Sequence, residues 1–270
     1  MSAFATPCAA TTPYAAIHVM SEPYKLMGKT APWPFVLKEL SSLKEAGTYL
    51  SNPGKFGQGT VIVLVRHGQC PNNAHDVVGS TLGPQDDANG LTQQGREEAA
   101  AEGRKLLEEL EAAAKERNVS MDEMLQDVVM VTSPNKRAHE TGDIQAKIVK
   151  YTRPIFVEFR LKEGDFGDYE GKSAKEYMAC FKDRIHRFTN ERPPNGESGD
   201  EIQERNADWD KEIAHTPALE EKIVVGYTHW YDIAQHFLIA GRKVEELEKL
   251  KDKAKGGQYV CFWLTKKVTV

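Results

Sequence analysis

The stretch VIVLVRHGQCPNN, Val61 to Asn73, carries five consecutive aliphatic residues straight into an arginine, a histidine and a glycine. A run that is apolar at every position, rather than at every second one, suits a central strand covered on both faces by helices. In open sheets of that kind ligands bind in the crevice beyond the carboxyl ends of the strands, where Arg66, His67 and Gly68 fall. A buried histidine satisfied by a backbone carbonyl accounts for the tripeptide equally well, so other segments have to decide.

From Gly59 onward the pattern alternates. Apolar strand candidates at 61–65, 127–132 (DVVMVT), 154–159 (PIFVEF), 222–227 (KIVVGY) and 258–264 (QYVCFWL) are separated by helical stretches, which indicates α/β architecture. The clearest helix is Thr92 to Asn118, rich in strong helix formers, with Ala99, Leu106, Leu107 and Leu110 able to form one apolar face. Further helices are expected at Asn135–Val149, Ser173–Phe188, Gly199–Ala214 and Tyr231–Ile239. Residues 1–56 stand apart. They contain the breakers APWPF and SNPGKFGQG around VLKELSSLKEAGTYL, read as one short amphipathic helix, and are expected to form an N-terminal extension packing on a main domain of residues 57–270.

The chain has 270 residues and a hydrophobic share of 40%, enough for a sizeable core. Lysine and arginine total 35 against 40 aspartate and glutamate, so the net charge of -5 gives no general attraction to nucleic acid or anionic membrane, and any anion site must be local. No segment approaches the roughly 20 apolar residues of a membrane-spanning helix. The N-terminus lacks the basic start and apolar stretch of a secretory signal. Cys8, Cys70, Cys180 and Cys261 show neither CxxC pairs nor metal-ligand spacing, which favours reduced thiols and a cytoplasmic setting.

Three further strand ends repeat the design of the first. VVMVTSPNKRAHET runs from a strand into Arg137 near a helix start, where free N–H groups and a guanidinium fork suit phosphate. IVVGYTHW places His229 just beyond its strand, and RLKEGDFGDYEG, after PIFVEF, offers Glu163 among glycines. Two arginines and two imidazoles suit the oxygens of a phosphoryl group. One imidazole nitrogen can attack phosphorus, and a carboxyl group can protonate the departing oxygen. Such a site needs no metal, because guanidinium and imidazolium groups supply the positive charge.

These segments together resemble the histidine phosphatase superfamily, which includes cofactor-dependent phosphoglycerate mutase and fructose-2,6-bisphosphatase. The resemblance runs from about residue 59 to the C-terminus. LVRHGQCPNN is similar to the family's RHG segment and its following Asn, here Asn73; LTQQGREEA to LTxxGxxQA; TSPNKRAHET to SxxxRAxxT; LKEGDFGDYEG to LxExxxGxxEG; and PNGES with VVGYTHW to the later GES and histidine segments. The resemblance implies a three-layer α/β/α sandwich with a mostly parallel central sheet. It also implies His67 as nucleophile, Glu163 as proton donor, and Arg66, Arg137, His229 and Asn73 as the phosphate pocket, with no cofactor, a small phosphorylated substrate and often a homodimer.

The same loop offers Asp165, Asp168 and Glu170 as competitors of Glu163; the spacing from Leu161 to Gly167 favours Glu163. Residues Gln69 to Asn72 and Ser198 are further candidates for lining the site. Trp230 stands where the family usually has glycine. Its indole either faces the pocket, narrowing it or stacking on an aromatic or sugar-like substrate, or turns into the core. GQC replaces the common Glu followed by Ser or Thr, changing polarity beside the nucleophile. Segments 1–56 and 172–221 are expected to cover the pocket, the latter bringing Tyr177, Phe181, Arg184, Arg187, Phe188 and Arg192. The acid segment looks more like the phosphatase branch than the mutases. A mutase-like phosphotransferase, a member retuned to non-hydrolytic chemistry and an anion-binding protein are the competing readings.

Overall fold

The computed structural model describes residues 33–82, 84–183, 185–251 and 256–267. Residues 1–32 of the expected extension, with Cys8, and Arg184 lie outside the described residues. The described residues begin with β1 (Phe35–Leu40), α1 (Leu43–Leu50), the single turn α2 (Pro53–Phe56) and β2 (Thr60–Arg66). The turns α3 (Pro71–Ala74) and α4 (Pro84–Asp87) lead to α5 (Gln93–Arg117), α6 (Met121–Gln126), β3 (Val128–Thr132), α7 (Lys136–Val149) and β4 (Phe156–Val157). Then come α8 (Ala174–Met178), α9 (Gly199–His215), β5 (Ile223–Thr228), α10 (Trp230–Ile239), α11 (Leu247–Leu250) and β6 (Tyr259–Lys266).

Among the described residues six strands form one sheet in the order β1-β6-β2-β5-β3-β4. The pairs β2–β5, β5–β3 and β3–β4 are parallel, and β6 runs against its neighbours β1 and β2. Because side chains alternate along a strand, β2 divides between two cores. Ile62 and Leu64 enter the cluster shared with α9 and α10, with Trp209, Ile213, Ile233 and Phe237. Val61, Val63 and Val65 enter the other, shared with α1 and α5, with Leu43, Leu50, Leu106 and Leu110. The result is a three-layer α/β/α sandwich with a mostly parallel central sheet. The continuous apolar run of β2 is the consequence of being covered on both faces.

Three expected elements differ. The single helix over 36–50 is a strand and a helix. Residues 35–40 alternate in burial and pair with β6 from Phe35 opposite Lys266 to Leu40 opposite Cys261. Ser42 then starts α1, its hydroxyl accepting from Glu45 N at 3.1 Å while the Glu45 carboxylate accepts from Ser41 N at 2.7 Å. The helix expected over 173–188 stops at Met178, and a carboxylate oxygen of Asp183 takes the N–H groups of Ile185 and His186 at 2.8 and 3.1 Å, a local turn that competes with helix. The strand expected over 154–159 is reduced to Phe156–Val157, because the Glu158 carboxylate accepts from Arg160 N at 2.9 Å and opens a 3-10 turn.

Parallel register brings the carboxyl ends of three neighbouring strands level. Arg66 lies opposite Thr228, and Thr132 opposite Tyr227. The residues that follow, His67, His229 and Ser133, therefore emerge along one edge of the sheet.

Candidate active site

At the end of β2, His67 N donates to Thr228 O at 3.1 Å, tying the residue to β5. Its side chain is 3% exposed, and Nδ1 lies 2.7 Å from Gly68 O, a contact that places the ring proton on Nδ1 and leaves the Nε2 lone pair available. Gly68 N in turn donates to Thr141 Oγ1 at 3.1 Å. A side chain on Gly68 would lie 2.3 Å from Gly95 O, and one on Gly95 2.0 Å from Gln69 O. Two backbones, the end of β2 and the first turn of α5, touch there, and only glycine fits on either side.

Arg137 lies in the first turn of α7 and is 2% exposed. Its Nε reaches His67 Nε2 at 3.3 Å, its Nη1 reaches Asp86 at 3.3 Å, and its Nη2 reaches Gly79 O at 3.2 Å and Glu163 Oε2 at 3.4 Å. Asn135, fully buried before that helix, accepts from Glu163 N at 3.1 Å with its side-chain oxygen and donates to Ser80 O and to Asp86. His229 begins α10. Its ring is 5.0 Å from that of His67, its Nε2 is 2.9 Å from Ser133 Oγ, and its Nδ1 is 3.2 Å from Glu163 Oε2. That last separation requires a proton between the imidazole and the carboxylate. Two imidazoles, a guanidinium and a carboxyl group thus converge from four separate segments.

Comparison with known families agrees with this geometry: the model of the Histidine phosphatase superfamily (branch 1) matches residues 62–254. The chain belongs to the histidine phosphatase superfamily. Among solved structures it is similar to a mycobacterial glucosyl-3-phosphoglycerate phosphatase solved with VO3, at 19% identity and a TM-score of 0.55, covering 75% of this chain and 90% of that one. It is also similar to the alpha-ribazole phosphatase of Shigella flexneri, at 18% identity and a TM-score of 0.52, covering 70% and 84%. At such identities the likeness is one of fold. A comparison with curated proteins gives no match.

Each superfamily segment has a local physical task. The Ser of TSPNKRAHET contacts His229, its Arg contacts His67, and its Thr141 supports Gly68. In LTQQGREEA, Thr92 caps α5 by accepting from Gly95 N at 3.0 Å, and Gly95 supplies the close approach described above. Of the four acidic candidates on the 160–171 loop, Glu163 is the one that meets His229 and Arg137. Asp165 accepts from Gly167 N, Asp168 from Asn195, and Glu170 holds Ser80 N.

The expected lining residues have other partners. Gln69 Oε1 accepts from Thr92 Oγ1 at 2.8 Å, tying the segment after His67 to the start of α5. Asn73 is exposed, and its Oδ1 accepts from Cys70 N at 3.4 Å and Cys70 Sγ at 3.2 Å. Ser198 is buried as the N-cap of α9, accepting from Glu201 N at 3.3 Å. Trp230 is 6% exposed within the α9/α10 core, so of its two expected placements the inward one is observed. Of the segment expected to cover the pocket, Tyr177, Phe181, Arg187 and Phe188 are buried in the same core region. Sequence gives no sign of the site contacts of Asp86 and Asn135: Asn135 reads only as a helix start, and Asp86 lies in a short polar stretch with no periodicity or spacing signal.

Charge sets the chemistry of the site. Burial holds His67 well below the usual imidazole range, and Arg137, His229 and Arg66 push it further in that direction. Burial does the same to His229, helped by Arg137 and opposed by Asp232. Burial also lowers Arg66, against the pull of Glu163, Cys70 and Glu98. Ligand atoms of His67, Glu163 and His229 lie within 4.8 Å of one another, a donor set of the kind a divalent metal takes. Arg137 stands within 3.5 Å of all three, so the arrangement favours an anion over a cation.

Proposed function

We propose that the protein is a phosphomonoesterase that hydrolyses a small organic phosphate ester through a phosphohistidine on His67, with Glu163 as general acid and then general base. The observation that carries this reading is the state of His67. Its Nδ1 proton is held by Gly68 O at 2.7 Å, and the opposite nitrogen faces Arg137 Nε at 3.3 Å. A neutral imidazole held in one tautomer beside a buried guanidinium is a nucleophile aimed at a group with anionic oxygens.

In the first step the Nε2 lone pair forms a bond to phosphorus, the bond to the ester oxygen breaks, and Glu163 gives its proton to that oxygen as the alcohol leaves. In the second, Glu163 takes a proton from water, the water oxygen attacks phosphorus, and the N–P bond breaks to release phosphate and neutral His67. Arg66 and Arg137 neutralise charge on the phosphoryl oxygens throughout, and His229 lines the same pocket as a neutral hydrogen-bonding imidazole. The buried setting strengthens each of these contacts.

The test is phosphate release from a panel of phosphomonoesters at mildly acidic to neutral pH, with acid-labile phosphohistidine trapped in parallel. Turnover with a trapped intermediate, both lost in His67→Ala, is the expected result. Binding of phosphate in a His67-dependent way without release from any ester would overturn it in favour of a phosphotransferase or a binding protein.

A further inference from the structure

Glu163 sits on a loop, yet a general acid has to be placed within tenths of an ångström of the oxygen it protonates. The three carbonyl groups immediately before it are all bound. Arg205, buried on α9, donates from Nη1 to Arg160 O and from Nη2 to Lys162 O at 2.8 Å. Thr228, the last residue of β5, donates to Leu161 O at 3.1 Å. Arg205 and Thr228 then meet on a single carboxylate: Asp232 takes Arg205 Nη1 on Oδ1 at 2.8 Å, and its Oδ2, 2.5 Å from Thr228 Oγ1, shares with Leu161 O the one proton of that hydroxyl.

Asp232 is fully buried in the first turn of α10, the helix that His229 begins. The remaining Arg205 nitrogen, Nε, reaches Glu197 Oε1 at 3.1 Å, and the other Glu197 oxygen lies 3.4 Å from Asp165 N, two residues beyond Glu163. The acid loop is therefore gripped on both sides of Glu163 by groups fixed to the elements that carry His229. A buried ion pair is not explained by stability alone, because well-packed apolar residues of the same volume stabilise a core as well or better. Here the pair fixes backbone that an apolar substitute would leave unbonded.

We propose that Arg205, Asp232 and Thr228 are positioning residues that hold Glu163 at the correct height relative to His67 and His229 for proton transfer to the leaving oxygen. The proposal rests on the phosphatase reading above. None of the three touches the phosphoryl site as donor or nucleophile; they act through the loop.

The test uses the full chain as wild type, Glu163→Gln, Arg205→Lys and Thr228→Val, with kcat/KM measured on substituted phenyl phosphates of one size and rising leaving-group pKa. An acid matters little for p-nitrophenolate and much for a poor leaving group. Arg205→Lys and Thr228→Val are expected to lose no more than about twofold on p-nitrophenyl phosphate and roughly tenfold or more on p-methoxyphenyl phosphate, with Glu163→Gln steeper still. A loss by one common factor across the series would overturn the proposal. So would circular dichroism showing that neither variant folds, which would make the network structural only. Absence of turnover and of phosphohistidine in the wild type is a different failure. It removes the phosphatase reading and this proposal with it, whereas an active wild type with parallel variant slopes removes the positioning role alone.

Discussion

His67 and His229 are neutral in the folded protein because burial and the adjacent Arg137 disfavour imidazolium. A histidine whose folded pKa lies below its unfolded value of 6.5 contributes stability that is complete above pH 6.5 and is lost as pH falls toward the folded value. His236, raised because the Asp210 carboxylate outweighs its burial, contributes stability that is complete below pH 6.5 and is lost as pH rises above it, so it does not act in the acidic window. Thermal stability is therefore expected to fall as pH drops below about 6.5. In His67→Asn the slope should be shallower by up to about 1.4 kcal/mol per pH unit, the value for one proton, as chemical denaturation at stepped pH would measure. Glu163→Gln keeps the shape of the acid and removes its proton. It is expected to lower turnover on alkyl phosphates by roughly 10²–10⁴-fold. Quench-flow would locate the loss in phosphorylation of His67 with poor leaving groups and in its hydrolysis with good ones.

At the level of elements, the site depends on the end of β2 lying directly on the first turn of α5. Replacing a helical glycine by alanine ordinarily stabilises by about 0.5–1 kcal/mol. At Gly95 the sign reverses, because the new methyl would stand 2.0 Å from Gln69 O, a backbone atom that can move only by shifting the segment next to His67. Gly95→Ala is expected to cost about 1–3 kcal/mol, a melting point lower by several degrees, together with a fall in kcat. Calorimetry and steady-state kinetics on the same preparation would show both. A melting point equal to or above the wild type's would mean that the two backbones are not in contact. The helices at 93–117, 136–149 and 199–215 were readable within a residue or so of their ends because their caps are local: Thr92, Asn135 and Ser198 precede them in sequence. The stretch at 36–50 was not, since VLKEL carries too few residues to separate a strand from a helix by period, and its partner β6 lies more than 200 positions away.

For the whole molecule, β1 and α1 complete the sheet edge and one helical layer. Leu43, Ala46, Tyr49 and Leu50 are buried with Leu106, Leu110 and Trp263, so a chain beginning at residue 57 would uncover that face of the core. At about 1.5–3 kcal/mol for each large apolar side chain, the loss is comparable with the entire stability of an average domain. Such a chain is expected to bind a hydrophobic dye and lose cooperative melting; a cooperative transition at the full-length temperature would show residues 33–56 to be dispensable. The α/β alternation, the caps of the long helices and the polar segments bearing Arg66, His67, Arg137, Glu163 and His229 are encoded locally, because strand burial, capping and the chemistry beyond a strand are written in residues adjacent along the chain. The strand order, the inward turn of Trp230, the bond of Gln69 to Thr92, the turning of Asn73 onto Cys70, and the recruitment of Asp86, Asn135, Arg205 and Asp232 were settled by packing. Those outcomes follow from which surfaces meet when distant segments pack, and a buried polar side chain takes its partner from whatever the packing brings within about 3 Å.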